Sequence, residues 1–267
     1  MLARQRQAAI LDRVRAAGGV RVTELAAEFG VSDMTIRRDL ETLHEQGLLA
    51  KVHGGATLAG PSATDEPGFH AKSVRQSAEK AAIAARAAEL VRPGAAVALS
   101  AGTTTAELAR RLVDVAGLTV VTNSLPVAEI LHTQGRPDQT VVLTGGVRTP
   151  SDALVGPLAV AAIRALHLDL LFLGVHGITE RAGFTTPNLM EAETDRALVA
   201  AADRLVVLAD HTKWGTVGIS SIVALEDADV LVTDDRLAPQ ARQVLDEKVG
   251  ELVIVAGAGR TTTEEAR

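Results

Sequence analysis

Seven short apolar runs, most of them separated by helix-length stretches, constrain the fold of this 267-residue chain more than any other feature. Parallel strands that are buried on both faces of a sheet have this pattern, because the crossover helices cover both faces. The runs cover residues 95–99, 118–122, 140–143, 168–173, 205–209, 230–233 and 252–255. We therefore predict an α/β fold with a parallel sheet for the larger, carboxyl-terminal part of the chain.

Composition limits the classes of protein to which the chain can belong. Hydrophobic residues make up 47% of it, enough for two packed domains, and the absence of cysteine excludes disulfides and thiolate metal sites. The amino-terminal residues contain no uninterrupted apolar core, and no later stretch is long and apolar enough to span a membrane. We expect a soluble, cytoplasmic protein with no membrane partner, no cofactor and no metal site.

The stretch VSDMTIRRDLETLHEQG, residues 31–47, predicts an amphipathic helix with a cationic outer face. Ile36, Leu40 and Leu43 recur at helical spacing and form the inner stripe. At about 100° per residue, Arg38 lies about 200° from Ile36 and therefore points away from that stripe. A helix with outward arginines near its amino end can present them to phosphates and base edges.

Two further helices precede this one. Residues 4–17 and 23–29 have helical apolar spacing, Gly30 provides the turn, Ser32 is a suitable N-cap, and Gly47 is a suitable end for the third helix. A helix, a tight glycine turn and a second helix are typical of a helix-turn-helix. The alternative is a generic three-helix bundle with a solvated cationic face.

A small hairpin is predicted after the third helix. The segment LLAKVHGGA, residues 48–56, alternates in polarity and then reaches Gly54 and Gly55, with Lys51 and His53 near the turn. Up to Thr57 the chain has eight Lys and Arg against seven Asp and Glu, so the net charge of −6 comes from the remainder, which has 19 against 26. Because salt screens charges beyond about 10 Å, the local balance allows this head to bind DNA.

A composition shift predicts the domain boundaries. The segment AGPSATDEPG, residues 59–68, is polar and rich in Pro and Gly, as linkers are, and an Ala-rich helix follows over 73–91. We predict a winged helix-turn-helix domain over 1–58, a linker over 59–72 and an α/β domain over 73–267.

The loops at the carboxyl ends of the predicted strands are small, polar or rich in glycine, which suits a shared ligand cleft. They are SAGTTT (100–105), TNS (122–124), TGGVR (144–148), GVHG (174–177) and ADHTKWG (209–215). In the first loop, Gly102 allows a close turn, and Thr103, Thr104 and Thr105 offer hydroxyls and amides at a helix start. This arrangement predicts a phosphate site, and the alternative is an ordinary strand-to-helix turn that a threonine caps.

Lys213 follows a predicted strand and can bring a point charge to a phosphate at that helix start. The alternative for Lys213 is a solvated loop lysine. We interpret His176 as a hydrogen-bonding residue of the cleft or a satisfied loop residue and not as a base. We interpret Arg148 as a solvated loop arginine, and the alternative is a second cation for the phosphate.

The segment RQAAILDRVRAAGGVRVTELAAEFGVSDMTIRRDLETLHEQGLLAKVHGGA, residues 6–56, resembles the winged helix-turn-helix of the DeoR family of bacterial transcription regulators. In that family the second helix of the motif enters the major groove of double-stranded operator DNA. The resemblance implies that Thr35, Arg37 and Arg38 are the leading DNA contacts, with Met34 as an apolar contact. The predicted DNA-binding set is completed by two residues of the wing, Lys51 and His53.

Later segments resemble the effector domain of the same family, which is Rossmann-like and similar in fold to ribose-5-phosphate isomerase. These segments are SAGTTTAELA, VTNSLPVAEIL, LTGGV, ALVGPLA, LFLGVHGI, NLMEAET and ADHTKWG. The resemblance implies a phosphorylated sugar effector and the ligand residues Gly102, Thr103, Thr104, Thr105, Asn123, Gly145, Gly146, Glu191 and Lys213. The chain departs from the family pattern at Ser100, where Asp is common, and at 210–213, where D-S-K is common.

Two classes of function fit these patterns. The leading interpretation is a homo-oligomeric transcription regulator, acting as a repressor, whose DNA binding responds to the sugar phosphate. The alternative is a sugar-phosphate isomerase or deaminase with an accessory domain. An isomerase needs a carboxylate base at the substrate carbon, and the GVHGI strand end offers none. We therefore predict no catalytic residue, although Glu191 and Glu193 remain available as carboxylates.

Overall fold

The computed structural model describes residues 3–17, 19–45, 48–52, 54–58 and 68–257. Contacts within the chain divide it into two compact units, residues 1–62 and 63–267. The predictions for Gly47, for His53 and for most of the linker, residues 59–67, fall outside the described residues. No helix in the described part of the chain is both long enough and apolar enough to cross a membrane.

The first unit contains the three predicted helices and a small antiparallel sheet. The helices are α1 (Ala3–Ala17), α2 (Val22–Phe29) and α3 (Asp33–Glu45), and the strands are β1 (Gly19–Arg21), β2 (Leu49–Val52) and β3 (Gly55–Leu58). The strand order is β1-β3-β2, so the wing has a third strand that the hairpin prediction did not include. With only three residues between two helices, β1 was too short to produce a recognisable alternating pattern.

The turn into α3 has the geometry that its sequence predicts. Gly30 adopts a left-handed conformation with φ of 63°, and its amide donates to the Ala26 carbonyl at the end of α2. The Ser32 hydroxyl accepts a hydrogen bond from the Thr35 amide at 3.2 Å, which confirms Ser32 as the N-cap of α3. Ile36 is fully buried in the core of this unit, as the helical periodicity requires.

The two glycines of the wing are required for different reasons. Gly54 has φ of 79°, a conformation that residues with a side chain rarely adopt. A Cβ atom on Gly55 would lie 2.1 Å from the Val20 carbonyl oxygen of β1, so only glycine lets the two strands approach. The dipeptide therefore both turns the hairpin and admits its third strand.

The second unit contains a seven-stranded sheet of order β15-β14-β12-β9-β4-β5-β6, in which all neighbours are parallel. All seven apolar runs form strands of this sheet, which confirms the predicted fold class. The strands are β4 (Ala96–Leu99), β5 (Thr119–Thr122), β6 (Thr140–Leu143), β9 (Leu170–Gly174), β12 (Leu205–Leu208), β14 (Val230–Asp234) and β15 (Leu252–Val255).

Helices cover both faces of the sheet, and alternate residues of its strands enter two separate cores. Leu171 and Leu173 of β9 belong to one core, whereas Leu170 and Phe172 belong to the other. The first core is covered by α8 (Pro157–Ile163), α9 (Leu189–Ala201) and α10 (Pro239–Lys248), and the second by α5 (Ser77–Ala88), α6 (Thr103–Leu112) and α7 (Leu125–Gln134). Burial on both sides explains why inner strands such as β9 are continuously apolar, whereas the edge strand β6 is largely exposed.

Two features of the second unit differ from the predictions. The predicted linker 59–72 overlaps helix α4 (Phe69–Ser73), and the Ala-rich helix begins at Ser77 instead of Ser73, after a turn. A second, antiparallel sheet and a two-stranded ribbon were also not predicted, because their strands are short and partly polar. Their strands are β7 (Val147–Arg148), β8 (Leu154–Val155), β10 (Gly177–Thr179), β11 (Gly183–Thr186) and β13 (Ser220–Val223).

Candidate ligand site and nucleic-acid interface

The carboxyl ends of β4 and β9 lie side by side where the strand order of the sheet reverses. Strands β5 and β6 follow on one side of β4, whereas β12, β14 and β15 follow on the far side of β9. Loops that leave two such strands diverge and form a crevice, where open α/β sheets bind ligands. A cavity lies at this point, lined by Ala101 and Gly102 after β4 and by Val175 and His176 after β9.

Part of the cavity wall is cationic. Gly102, Thr103 and Thr104 line the cavity at the start of α6, and the structure gives this helix no side-chain N-cap hydrogen bond. Lys213, in the 3-10 helix that follows β12, and Lys80, in α5, line the same cavity. A helix start offers amide donors and a positive dipole, and the ammonium groups add full charges. This wall is therefore suited to a phosphate dianion.

Lys80 is a buried ammonium that the sequence analysis did not identify. The residue is only 5% exposed, and its Nζ donates to the carbonyl oxygens of Lys72 at 2.6 Å and Arg75 at 2.5 Å. Burial lowers the pKa of Lys80 from 10.5 to about 8, against the opposing effect of the nearby Asp210 carboxylate. The charges of Lys213, Lys72 and Arg75 lower it further. An anion in the cavity would relieve this repulsion among cations.

Two carboxyl groups of α9 also line the cavity. Glu191 Oε1 accepts hydrogen bonds from Thr149 Oγ1 at 2.8 Å and Ser151 Oγ at 3.0 Å, and Oε2 accepts from Thr186 Oγ1 at 3.1 Å. Asp195 lies one turn further along α9, and burial together with the Glu191 charge raises the pKa of its carboxyl well above the usual range. Carboxyl groups held among hydroxyls are suited to the hydroxyl groups of a sugar.

The structure brings five of the predicted ligand residues to this cavity: Gly102, Thr103, Thr104, Glu191 and Lys213. It does not bring Thr105, Asn123, Gly145 and Gly146 to the lining. Thr105 is fully buried, and its hydroxyl donates to the carbonyls of Ser100 at 2.7 Å and Gly102 at 3.0 Å. The Thr105 side chain therefore holds the loop in shape and is not available to a ligand.

Asn123 and the Gly145-Gly146 pair also serve the backbone. Asn123 Oδ1 accepts from the Ala101 amide at 2.9 Å, and its Nδ2 donates to the Leu154 carbonyl at 3.3 Å. Gly145 and Gly146 have φ of 73° and 123°, and a Cβ on Gly146 would lie 2.5 Å from the Val155 carbonyl oxygen. Asn123 thus positions the loop after β4, whereas the glycines form the turn into β7.

His176 lines the cavity, and its backbone amide donates to the Thr185 carbonyl at 3.0 Å. Arg148 is an exposed residue outside the cavity lining, and its Nε donates to Asp152 Oδ1 at 2.7 Å. Arg148 is thus a surface arginine, whereas the role of the His176 ring stays a prediction. At the departure from the family pattern, the Asp210 carboxylate accepts from the Thr212 amide and caps the 3-10 helix that carries Lys213.

Sequence reasoning missed several polar residues of the cavity wall: Lys72, Lys80, Ser151, Thr186 and Asp195. Lys80 and Asp195 lie on amphipathic helices, where single charged residues are expected on the solvated face. Among the described residues, no group of three or more histidines, aspartates and glutamates could hold a metal ion. With these residues included, the cavity wall contains both lysine ammonium groups and carboxyl groups.

The first unit presents α3 as a candidate nucleic-acid interface. Arg37 and Arg38 are exposed, Met34 is 59% exposed, and Thr35 is half-buried. Within the part of the chain that the structure describes, neither arginine side chain forms an ion pair or a hydrogen bond. Lys51 lies in β2, whereas His53 lies outside the described residues. The predicted side chains of α3 therefore share one outer surface with two unengaged cations.

A buried ion pair anchors the inner face of α3. Arg6 Nε of α1 donates to Asp39 Oδ2 at 2.5 Å, and Gln7 Nε2 donates to Asp39 Oδ1 at 3.2 Å. Both members of the ion pair are less than a tenth exposed. Asp39 follows the two exposed arginines directly in sequence, but its side chain points inward and connects α3 to α1.

Family models match nearly all of this architecture. The model of the DeoR-like helix-turn-helix domain matches residues 6–61, and that of the DeoR C terminal sensor domain matches residues 75–235. The chain belongs to the DeoR family. The family match agrees with the sequence-based resemblance and places the cavity in the sensor domain.

Named relatives extend over almost the whole chain. It is 38% identical to the HTH-type transcriptional regulator GolR of Listeria innocua, over 87% of this chain and 91% of that one. It is 32% identical to the glycerol-3-phosphate regulon repressor of Escherichia coli, over 90% of this chain and 94% of that one. Ribose 5-phosphate isomerase A of Methanocaldococcus jannaschii matches in structure with a TM-score of 0.37 and 17% identity, over 51% of this chain and 53% of that one.

Proposed function

We propose that this chain is a DNA-binding transcription regulator, acting as a repressor, of a sugar or carbohydrate operon, and that a phosphorylated sugar controls it. The cavity at the ends of β4 and β9 carries the proposal, because it joins a cationic wall to two carboxyl groups. The phosphate binds at the start of α6 with Lys213 and Lys80, and the sugar hydroxyls bind Glu191 and Asp195. A relative named as the repressor of a glycerol-3-phosphate regulon supports this choice of ligand class.

DNA binding is assigned to α3. Its exposed arginines offer guanidinium groups to base edges and phosphates, with Met34 and Thr35 beside them. Lys51 and His53 of the wing are proposed as further DNA contacts.

We also propose that the protein is a homo-oligomer. A single winged helix-turn-helix domain buries too little surface for tight specific binding, so two or more copies would bind paired half-sites. Light scattering tests this point, and a monomer with high operator affinity would contradict it.

A sugar-phosphate isomerase is the second candidate, and the carboxyl groups of Glu191 and Asp195 in the cavity are the observation that favours it. An isomerase needs a carboxylate oxygen open to the substrate carbon. Both oxygens of Glu191 already accept hydrogen bonds from hydroxyl groups, which suits binding better than proton abstraction. A DNA-reading head also has no purpose in such an enzyme, so we assign no catalytic residue.

The deciding experiment measures operator binding during a titration with sugar phosphates. Operator DNA is first selected from random sequences by the protein itself, and fluorescence anisotropy then follows its release. Each sugar phosphate is paired with the same sugar lacking the phosphate, so that the contribution of the phosphate is isolated. We expect release by one or a few phosphorylated sugars and none by the unphosphorylated sugars. Equal responses to both forms, or turnover of the sugar phosphate, would contradict the proposal.

A further inference from the structure

The short helix α4 is the first described element of the second unit and is followed in sequence by the cavity-lining helix α5. It comes after residues 59–67, through which the chain passes from the first unit to the second. Its backbone is held at both ends by residues next to or within the cavity wall. Any change at those holding points would therefore reach the segment that leads to the DNA-binding unit.

The carboxyl end of α4 is held by hydrogen bonds from the ammonium group of Lys80. Lys80 Nζ donates to the Lys72 carbonyl, in α4, and to the Arg75 carbonyl, in the turn that follows. The turn continues through Gln76, which has φ of 51°, and the Lys80 amide donates to the Gln76 carbonyl at 3.0 Å. The side chain and the backbone of one residue thus both fix the junction of α4 and α5.

At the amino end, the Phe69 amide donates to the Pro150 carbonyl at 3.4 Å. The next residue, Ser151, lines the cavity and donates to Glu191 Oε1 at 3.0 Å. The cavity therefore contacts α4 through the cationic wall at one end and through the hydroxyl and carboxylate groups at the other.

Lys80 also faces the cavity, which gives its ammonium a second potential partner. Among the described residues, the ion pairs within 4.0 Å include none formed by Lys80, so only carbonyl oxygens contact its charge. A phosphate oxygen is a stronger acceptor for an ammonium than a carbonyl is, because both groups are charged. The Lys72 and Arg75 carbonyls accept two of the three protons of Lys80, so one proton is left for a phosphate, and a dianion that takes more than this one proton competes with the two carbonyls.

We propose that Lys80 is the residue that transmits ligand binding to α4: its ammonium turns from the Lys72 and Arg75 carbonyls toward the ligand phosphate and so loosens the segment that leads to the DNA-binding unit. This inference rests on the proposed function, since it requires a phosphorylated ligand in the cavity. It adds a regulatory role to a residue that otherwise only contributes charge to the site. Coupling arises because a phosphate that draws more than the one remaining proton moves the ammonium away from the two carbonyls, so that ligand binding and the hold on α4 oppose each other.

Hydrogen exchange of the full chain tests the proposal, because the α4 amides have hydrogen bonds of their own. The Lys72 amide donates to the Gly68 carbonyl at 3.2 Å, and the Arg75 amide donates to the Lys72 carbonyl at 3.3 Å. Exchange of a peptide covering residues 68–76 is followed with and without inorganic phosphate or the sugar phosphate that releases operator. We expect exchange to become at least about tenfold faster on ligand binding, because loss of even one of the two charge-assisted hydrogen bonds corresponds to about tenfold or more.

Lys80→Met and Lys213→Met form a matched pair, since both remove an ammonium from the cavity wall. The structure shows no hydrogen bond from Lys213 to α4 within the described residues. In Lys80→Met, exchange at 68–76 should be fast without ligand and should not increase further at saturation. In Lys213→Met, more ligand should be needed, but the full increase should be reached. A ligand-dependent increase in Lys80→Met equal to that of the parent would overturn the proposal.

Calorimetry on the unmodified protein separates this inference from the proposed function. If neither inorganic phosphate nor a sugar phosphate binds, the proposed function fails. If a sugar phosphate binds while exchange at 68–76 stays the same, the proposed ligand class stands and the role of Lys80 is wrong. That comparison needs no substitution, so it holds even where Lys80→Met does not fold.

Discussion

The two cationic sites proposed for this protein differ in how deeply their charges are buried. Arg37 and Arg38 of α3 are exposed, whereas Lys80 of the sensor cavity is buried with its charge on carbonyl oxygens. Exposed arginines pay little desolvation and suit a polymer whose many phosphates are read in parallel. The buried ammonium of Lys80 has lost its hydration and lies among other cations, so a single small anion in the cavity would stabilise its charge. We therefore expect the exposed arginines to bind a nucleic acid and the buried lysine to bind a small anion.

The largest effect is expected on the exposed side of this comparison. Replacing both Arg37 and Arg38 by alanine should weaken operator binding by roughly 2 to 6 kcal/mol, since each contact contributes about 1 to 3 kcal/mol. Arg38→Ala alone should cost roughly 1 to 3 kcal/mol. Fluorescence anisotropy with the selected operator measures the loss, and thermal unfolding checks that the fold is intact.

A charge-preserving control sharpens this result. Arg37→Lys with Arg38→Lys retains both charges but removes the planar, bidentate donors. If the lysine variant binds operator as the parent does, the arginines contact phosphates only. If the alanine variant binds as tightly as the parent, the assignment of α3 as the reading helix is wrong.

The second effect concerns the rim of the cavity. Lys213→Met should weaken binding of the sugar phosphate by roughly 1.5 to 3 kcal/mol, the contribution of one charge-assisted hydrogen bond. Operator binding without ligand should be retained, because the ligand acts only through its different affinities for two states of the protein. Calorimetry gives the ligand affinity, and an unchanged value would remove Lys213 from the site.

The third effect is a pH dependence that the surface arginines cannot produce. With a pKa of about 8, Lys80 loses its proton as the pH rises through 8, while a phosphate monoester is already a dianion above about pH 7. Phosphate affinity should therefore fall above pH 8, by at most about tenfold per pH unit. Lys80→Met should bind more weakly at pH 7 and lose this slope. Calorimetry over pH 7 to 10 measures both, and an equal slope in the two proteins would exclude Lys80.

The same shift has a consequence for stability with the opposite sign. Between pH 8 and 10.5 the unfolded chain holds the Lys80 proton and the folded protein does not, so unfolding binds a proton. The free energy of unfolding should therefore rise with pH across this window relative to Lys80→Met. Denaturant unfolding at pH 7.5 and pH 10 measures the difference between the two proteins.

The smallest effect is expected at Arg148, for which a second cation for the phosphate was the alternative interpretation. Its ion pair with Asp152 lies on the surface, outside the cavity lining. Surface pairs of this kind contribute about 0 to 1 kcal/mol. Arg148→Ala should leave ligand affinity within a factor of about two of the parent's value, well below the loss at Lys213. A tenfold loss would place the phosphate elsewhere.

Local sequence patterns predicted much of the fold, because the elements concerned are defined by their own residues. Both β6 and β15 have the predicted bounds, since parallel strands are continuously apolar over their whole length. Helix α3 was predicted from its apolar stripe and its Ser32 cap. Short strands such as β1 and β10 lack any pattern of this kind and become strands only through their partners.

The candidate site was harder to predict, because its depth is a tertiary property. Gly102 and Thr103 were found because they follow a strand and begin a helix, which is a local signal. In sequence, Lys80 has no feature that distinguishes it from other helix lysines. It is buried against α4, and most of α4 falls in the segment that was predicted to be a linker. Asn123 was assigned to the ligand on family resemblance, while its amide is used by the backbone of two loops.

The buried Arg6–Asp39 pair has a practical consequence for redesign of the regulator. Within α3, positions 34, 35, 37 and 38 lie on or near the surface, whereas Ile36, Asp39 and Leu40 hold the helix in place. The proposed DNA-contacting residues of α3 therefore alternate in sequence with the residues that pack the helix against its domain, but the two sets are different. Because the Thr35 hydroxyl lies 2.9 Å from the hydroxyl of the N-cap Ser32, a library at positions 34, 37 and 38 varies the proposed DNA-contacting surface while leaving the supports of the helix unchanged. If α3 reads DNA as proposed, such a library would give regulators that combine this sensor domain with new operators.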